Sequence, residues 1–116
     1  MKLPERVYLA GPMTGIPEHN FPAFMEAARE LRRRGIKVYN PADRPFQRRL
    51  GMPLEYYLGY ELRAVCNAEA VVVLPGWEHS RGTQIETTVA YLLNKPVLVY
   101  PTLLPVTIRY DFTFNG

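Results

Sequence analysis

Apolar residues along the chain fall into short continuous runs separated by stretches with helical spacing. The run "RVYLAG" (6–11) predicts a buried strand that ends at Gly-Pro. "GPMTGIPEHN" is a loop, and "FPAFMEAARELRRRG" a helix, because Phe21, Phe24, Met25, Ala28 and Leu31 recur at helical intervals. Asn20 reads as its N-cap, Pro22 suits the first turn, and Gly35 is a stop. "IKVYNP" (36–41) is a second strand, and residues 41–53 form a loop rich in Arg and Pro. A second helix follows over 54–68, with Leu54, Leu58, Leu62, Val65 and Cys66 on its inner side. "AVVVLP" (70–75) is continuous and β-branched, as a strand covered on both faces requires. Residues 80–94 form a third helix and "PVLVYP" (96–101) a fourth strand. In the tail, "VTIRYDFTF" alternates as a strand does, and a docked extended segment fits equally well.

Alternating strands and helices specify an α/β domain: a mainly parallel sheet of four or five strands with helices on both faces, a three-layer arrangement. Ligands bind such open sheets beyond the carboxyl ends of the strands, where the strand order switches. Three loops lie at those ends, over 11–20, 40–53 and 75–80. They hold both histidines, the only tryptophan and several glycines.

A length of 116 residues is that of a single domain, spanning 1–116. The net charge of +3 is concentrated at Arg29, Arg32, Arg33 and Arg34 and at Arg44, Arg48 and Arg49. The first group sits where a helix dipole favours cations, so it reads as a solvated face rather than a nucleic-acid patch. Recognised nucleic-acid motifs and interleaved aromatics are missing. One cysteine, Cys66, allows no internal disulfide and fits a reducing cytoplasm; a small buried hydrophobe is the expected role. The start "MKLPERVYLAGP" lacks an apolar core, so no signal peptide is expected, and no run approaches membrane-spanning length. His19 and His79 without a clustered carboxylate motif argue for no metal, and no cofactor is expected.

The carboxylate Glu86 stands out. With Ser80 as N-cap it lies too deep in the third helix to act as a capping group. Its helical neighbours Val89, Ala90 and Leu93 are apolar, so it lies on or beside the face that packs on the sheet. Two readings stand: a solvated boundary residue paired with an arginine, or a functional group facing the strand ends. Gly82, early in the helix, costs about 1 kcal/mol relative to alanine and makes sense where a ligand or backbone approaches closely. "AGPMTG" after the first strand is a glycine loop without dinucleotide or P-loop spacing. Tyr8 near the end of that strand, taken alone, reads as a core aromatic. Glu61 on the second helix faces either cleft or water.

The segments "VYLAGPMTG", "YNPA", "AVVVLPGW" and "SRGTQIE" occur in order and in matching elements. Over about residues 6–100 they resemble the nucleoside 2-deoxyribosyltransferase superfamily, which includes the 2'-deoxynucleoside 5'-phosphate N-hydrolases. The resemblance implies a flavodoxin-like or Rossmann-like fold. It also implies cleavage or transfer of the N-glycosidic bond of 2'-deoxyribonucleosides or their 5'-monophosphates. Glu86 matches the family's nucleophile, Tyr8 its first-strand tyrosine, and Glu61 an acidic position more often held by Asp. For substrate contact the resemblance points to Gly11, Pro12, Met13, Thr14 and Gly15, with Asn20, Trp77, Ser80 and Gly82. The implied partner is a small nucleoside or nucleotide, and a homo-oligomer is implied whose tail, with Arg109, Tyr110 and Asn115, closes a neighbour's site. A nucleotide-binding module that senses or sequesters without turnover is the competing reading.

Overall fold

The computed structural model describes residues 2–43 and 52–107. Strands and helices alternate: β1 (Arg6–Ala10), α1 (Phe21–Arg33), β2 (Lys37–Tyr39), α2 (Leu54–Asn67), β3 (Ala70–Val73), α3 (Arg81–Leu92), β4 (Val97–Val99) and β5 (Leu104–Pro105). The sheet order is β2-β1-β3-β4-β5, with β1 to β4 mutually parallel and β5 antiparallel to β4. This is a flavodoxin-like, three-layer α/β fold with a mainly parallel sheet of five strands. The chain leaves β1 for β2 on one side and returns to β3 on the other. The crevice of such a sheet therefore opens at the carboxyl ends of β1 and β3.

The pleat decides what faces each layer. Val7 and Leu9 of β1 join Phe24, Ala27, Ala28 and Leu31 of α1 in one buried cluster. Tyr8 and Ala10 point the other way, into a cluster with Ala64 and Val65 of α2 and Ala90 of α3. The register sets Tyr8 opposite Val71 and Leu9 opposite Val72, so β3 divides between the same two layers. Every residue of β3 is buried, as its continuous apolar run predicts.

Some expectations are corrected. Met25 lies on the flank of α1, with Ala27 taking the inward place; its sulfur accepts a hydrogen bond from Asn40 Nδ2 at 3.4 Å. Cys66 is exposed, as is Leu54, because α2 packs through Ala64 and Val65. Asn20 does not cap α1. Its backbone is left-handed, at φ 60°, and its side-chain amide donates to the Pro12 carbonyl at 2.9 Å. The antiparallel strand forms at Leu104–Pro105, ahead of the alternating tail. Arg109, Tyr110 and Asn115 lie outside the described residues, as do Arg44, Arg48 and Arg49.

The arginines at the end of α1 are engaged within the chain. Arg33 bonds Glu30 at 2.7 and 2.9 Å, and Arg34 bonds Glu30 at 3.3 Å and the Pro101 carbonyl at 2.9 Å. These guanidinium bonds, Arg33's first, hold the Glu30 carboxyl down at about 2. Arg32 reaches Asp43 at 2.6 Å and the Val38 carbonyl at 3.1 Å. Among the described residues, no helix is long and apolar enough to cross a membrane.

Lys95 closes the far end of α2. Its ammonium donates to the carbonyls of Val65 at 3.0 Å, Cys66 at 2.5 Å and Ala68 at 2.6 Å. The Val65 carbonyl also accepts the Ala68 N–H at 3.2 Å, and the helix dipole favours a cation at this end. Lys95→Met should destabilise the fold by about 1–3 kcal/mol. Thermal unfolding should show a midpoint lower by roughly 5–10 °C; an unchanged midpoint would mean that water replaces the ammonium at no cost.

Candidate active site

Tyr8 enters the layer between sheet and helices because it alternates with Val7 and Leu9. Ser80 starts α3 as its N-cap, its hydroxyl accepting from the Thr83 N–H at 3.3 Å. That start fixes the helical phase, so Thr83, Glu86, Thr87 and Ala90 turn inward and are buried. Glu86, only 3% exposed, thereby meets Tyr8. The phenol donates to Glu86 Oε2 at 2.5 Å. The Tyr8 ring stacks on Tyr39 with centroids 5.6 Å apart, which fixes the phenol's direction from the β2 side.

Glu61 of α2 completes a triad, its carboxyl facing the same cleft and interacting with that of Glu86. Burial raises the Glu86 carboxyl well above the ordinary carboxylate range; the Glu61 charge and hydrogen bond add to this, and the Tyr8 bond opposes it. Burial also raises Glu61, against the hydrogen bond from Glu86. Two carboxyls in such contact cannot both ionise readily, so the pair retains a proton into a pH range where free carboxyls have lost theirs. The Tyr8 phenol is raised well above its usual value, first by burial and then by the Glu86 and Glu61 charges. It therefore stays protonated and acts only as a donor to Glu86.

These groups line a cleft of about 300 Å³ at the carboxyl ends of β1 and β3. Of the sequence-derived site residues, Tyr8, Gly11, Met13, Thr14, Glu61, Ser80, Gly82 and Glu86 are in its wall. Pro12, Gly15, Asn20 and Trp77 are not. Pro12 and Asn20 brace the first loop through their mutual hydrogen bond. Gly15 supplies a turn at φ 81°, and Trp77 packs against the core on the α2 and α3 side. Gly11 is required by packing, since a Cβ there would stand 2.9 Å from Leu74 Cβ. At Gly82 a Cβ would meet nothing within 4 Å, so the protein itself does not demand glycine.

The wall also contains residues that the sequence does not assign to substrate contact: His19, Phe21, Met52, Tyr57 and Thr83. Glu18, His19 and Asn20 are consecutive left-handed residues, at φ 56°, 52° and 60°. Backbone of that kind is costly and persists where its surroundings impose it, often at ligand sites. It sets the His19 ring 5.8 Å from the Phe21 ring at the cleft. Phe21 and Tyr57 fit the flat faces of an aromatic ligand. Among the described residues no group of three or more His, Cys, Asp or Glu could hold a metal ion.

A family model described as a domain of unknown function, DUF4406, matches residues 5–99. A search of curated proteins gives no match. Solved structures with the same fold include BlsM, determined in solution, at TM-score 0.66 and 20% identity over 83% of this chain and 64% of that one. A 2-deoxyribosyltransferase from the psychrotolerant bacterium Bacillus psychrosaccharolyticus aligns at TM-score 0.64 and 22% identity, covering 81% of this chain and 70% of its own. A CMP N-glycosidase, BcmB, from Clostridium botulinum aligns at 0.53 and 19%, covering 81% and 66%. The chain thus spans about two thirds of these relatives' length. At such identities the likeness is one of fold.

Proposed function

The chain belongs to the DUF4406 family and has the fold of the nucleoside 2-deoxyribosyltransferase superfamily, and from that premise we propose that it cleaves the N-glycosidic bond of a 2'-deoxyribonucleoside or its 5'-monophosphate. The observation that carries this reading is the buried Tyr8–Glu86 hydrogen bond of 2.5 Å in the wall of a cleft that Glu61 also lines. A carboxylate nucleophile and a carboxylic acid facing one cleft are what glycosyl transfer through a covalent intermediate needs. That two of the structures sharing the fold are a deoxyribosyltransferase and an N-glycosidase supports it further.

The steps follow from the triad. In the free protein Glu86 holds its proton more firmly than Glu61 does; as the substrate enters, that proton passes to Glu61, and Tyr8 stabilises the charge left on Glu86. A Glu86 oxygen bonds to C1' of the sugar as the C1'–N bond breaks, and the departing base takes its proton from Glu61. Glu61, now ionised, removes a proton from water, whose oxygen attacks C1'. The ester to Glu86 breaks, freeing the sugar, and both carboxyls return to their starting state. A second base in place of water would give transfer. In retaining glycosidases the two carboxyls stand about 5–5.5 Å apart. Here the two carboxyls line one cleft and influence each other's protonation in the free protein.

Incubation with the common deoxyribonucleosides and their 5'-monophosphates, with detection of free base, tests this function. Base release from at least one is expected; tight binding with no release would establish the sensing or sequestering module instead. Tyr8→Phe should lower kcat on the order of 10²-fold, the usual effect of one charge-stabilising donor. Because the Tyr8 bond lowers the Glu86 carboxyl, its loss should move the acid limb of the pH–rate profile to higher pH. An unchanged rate and profile would remove Tyr8 from the mechanism.

A further inference from the structure

Helical threonines ordinarily return their hydroxyl to a carbonyl three or four residues back. On α3, Thr87 and Thr88 both do so, donating to the Gln84 carbonyl at 3.2 and 2.7 Å. Thr83 does not. Its Oγ1 is buried without a hydrogen-bond partner among the described residues, and the residue is 1% exposed. The Ser80 carbonyl, three residues back, already accepts from the Gln84 N–H at 2.9 Å. An unpartnered buried hydroxyl is a cost to the fold, and valine would fill the same volume without it.

Thr83 stands in the cleft wall between Ser80 and Glu86, which lie three residues before and after it. Residues three apart share a helix face, displaced by about 4.5 Å along the axis. Ser80, Thr83 and Glu86 therefore form one column down the cleft, with Gly82 beside it leaving open space. If Glu86 attacks C1', a group one turn toward the helix start stands about 4.5 Å along the axis from the attacking carboxyl, within the span of the same sugar.

We propose that the Thr83 hydroxyl is a substrate-binding and specificity-determining group that hydrogen-bonds an oxygen on the sugar side of the ligand. This inference rests on the glycosidase reading for the identity of the ligand. The oxygen comes from one of two sources, the sugar 3'-hydroxyl or the 5'-phosphate. Both can bond to a hydroxyl, and the free N–H groups opening α3 favour an anion at the same place.

Calorimetric binding to Glu86→Gln protein, which prevents turnover, tests it with a 2'-deoxyribonucleoside, its 5'-monophosphate and the 2',3'-dideoxynucleoside as probes. Adding Thr83→Val should weaken binding about tenfold or more for ligands that carry the contacted oxygen. Adding Thr83→Ser should retain most of the affinity. If the partner is the phosphate, Thr83→Val loses the preference for monophosphate over nucleoside. If it is the 3'-hydroxyl, the preference for the deoxy over the dideoxy compound disappears. Without ligand, Thr83→Val should melt no lower than its parent, since it removes only an unpaired hydroxyl. A lower melting temperature with unchanged affinities would assign Thr83 a structural role and overturn the proposal. So would failure of every probe to bind. Base release can fail while the Thr83-dependent affinity persists, which would overturn the glycosidase reading and leave this contact standing.

Discussion

Glu86→Gln should abolish base release and yield a protein that is more stable than wild type at neutral pH. The loss of rate should be about 10⁴-fold or more, because a glutamine amide cannot form the glycosyl ester and Tyr8 and Glu61 then have no nucleophile to serve. The gain in stability follows from burial. A glutamine is nearly isosteric, its amide oxygen can accept the Tyr8 hydroxyl, and its NH₂ can bond Glu61, while one buried ionisable group disappears. The folded Glu86 carboxyl holds its proton well above the ordinary 4.5, chiefly through burial. A carboxyl raised in this way contributes stability that is fully present below the unfolded value and is lost as pH rises through the folded one. Wild-type stability should therefore fall as pH climbs from about 4.5, and Glu86→Gln should flatten that decline. The expected gain is roughly 0.5–2 kcal/mol at pH 7, the range seen when a functional compromise is removed. Thermal unfolding of both proteins at pH 4 and pH 8 measures it. A variant less stable than wild type at both values would show that the carboxylate is there for structure.

The features legible in the sequence were those set by periodicity. The alternation of Val7, Tyr8 and Leu9 and the continuous run of β3 specify a doubly covered parallel sheet. The apolar neighbours Val89 and Ala90 place Glu86 inward on α3. What periodicity leaves open is the partner across the cleft. Tyr8 reads as an ordinary core aromatic until α3 brings a carboxylate 78 positions away against it. The inner face of α2 differs from the leucine pattern: Ala64 and Val65 are its buried residues, Leu58 and Leu62 are half-buried, and Leu54 lines the cleft. Cys66 falls beside that face and is exposed. Asn20 has the composition of a cap, but its left-handed backbone turns the amide back to Pro12. Thr83 gave no signal, since a β-branched residue at an inward helical position looks like any other core residue. Only the missing hydrogen bond distinguishes it.

Glu61→Gln should reduce base release by about 10²–10⁴-fold, the ordinary contribution of a positioned general acid. A glutamine can keep a hydrogen bond to Glu86 but has no proton to give the departing base. The loss should be greatest for bases that leave poorly and small for a substrate whose base leaves without protonation. That contrast separates proton donation from simple damage to the cleft. The pH–rate profile should change on both limbs. The alkaline limb reports loss of the Glu61 proton and should vanish. The acid limb reports ionisation of Glu86, whose carboxyl the Glu61 charge and hydrogen bond both raise. With that charge gone and an amide N–H donating to the Glu86 carboxylate in place of an accepting carboxylate, the limb should move to lower pH, opposite to the shift expected of Tyr8→Phe. Glu61→Asp restores an acid one methylene shorter, the residue type more often found here in the superfamily that the sequence resembles. It should recover part of the rate and bring back the alkaline limb. If Glu61→Gln instead released a poorly leaving base at the wild-type rate across the pH range, the proton would have to come from elsewhere. Glu61 would then be left with the narrower effect of raising its neighbour's carboxyl.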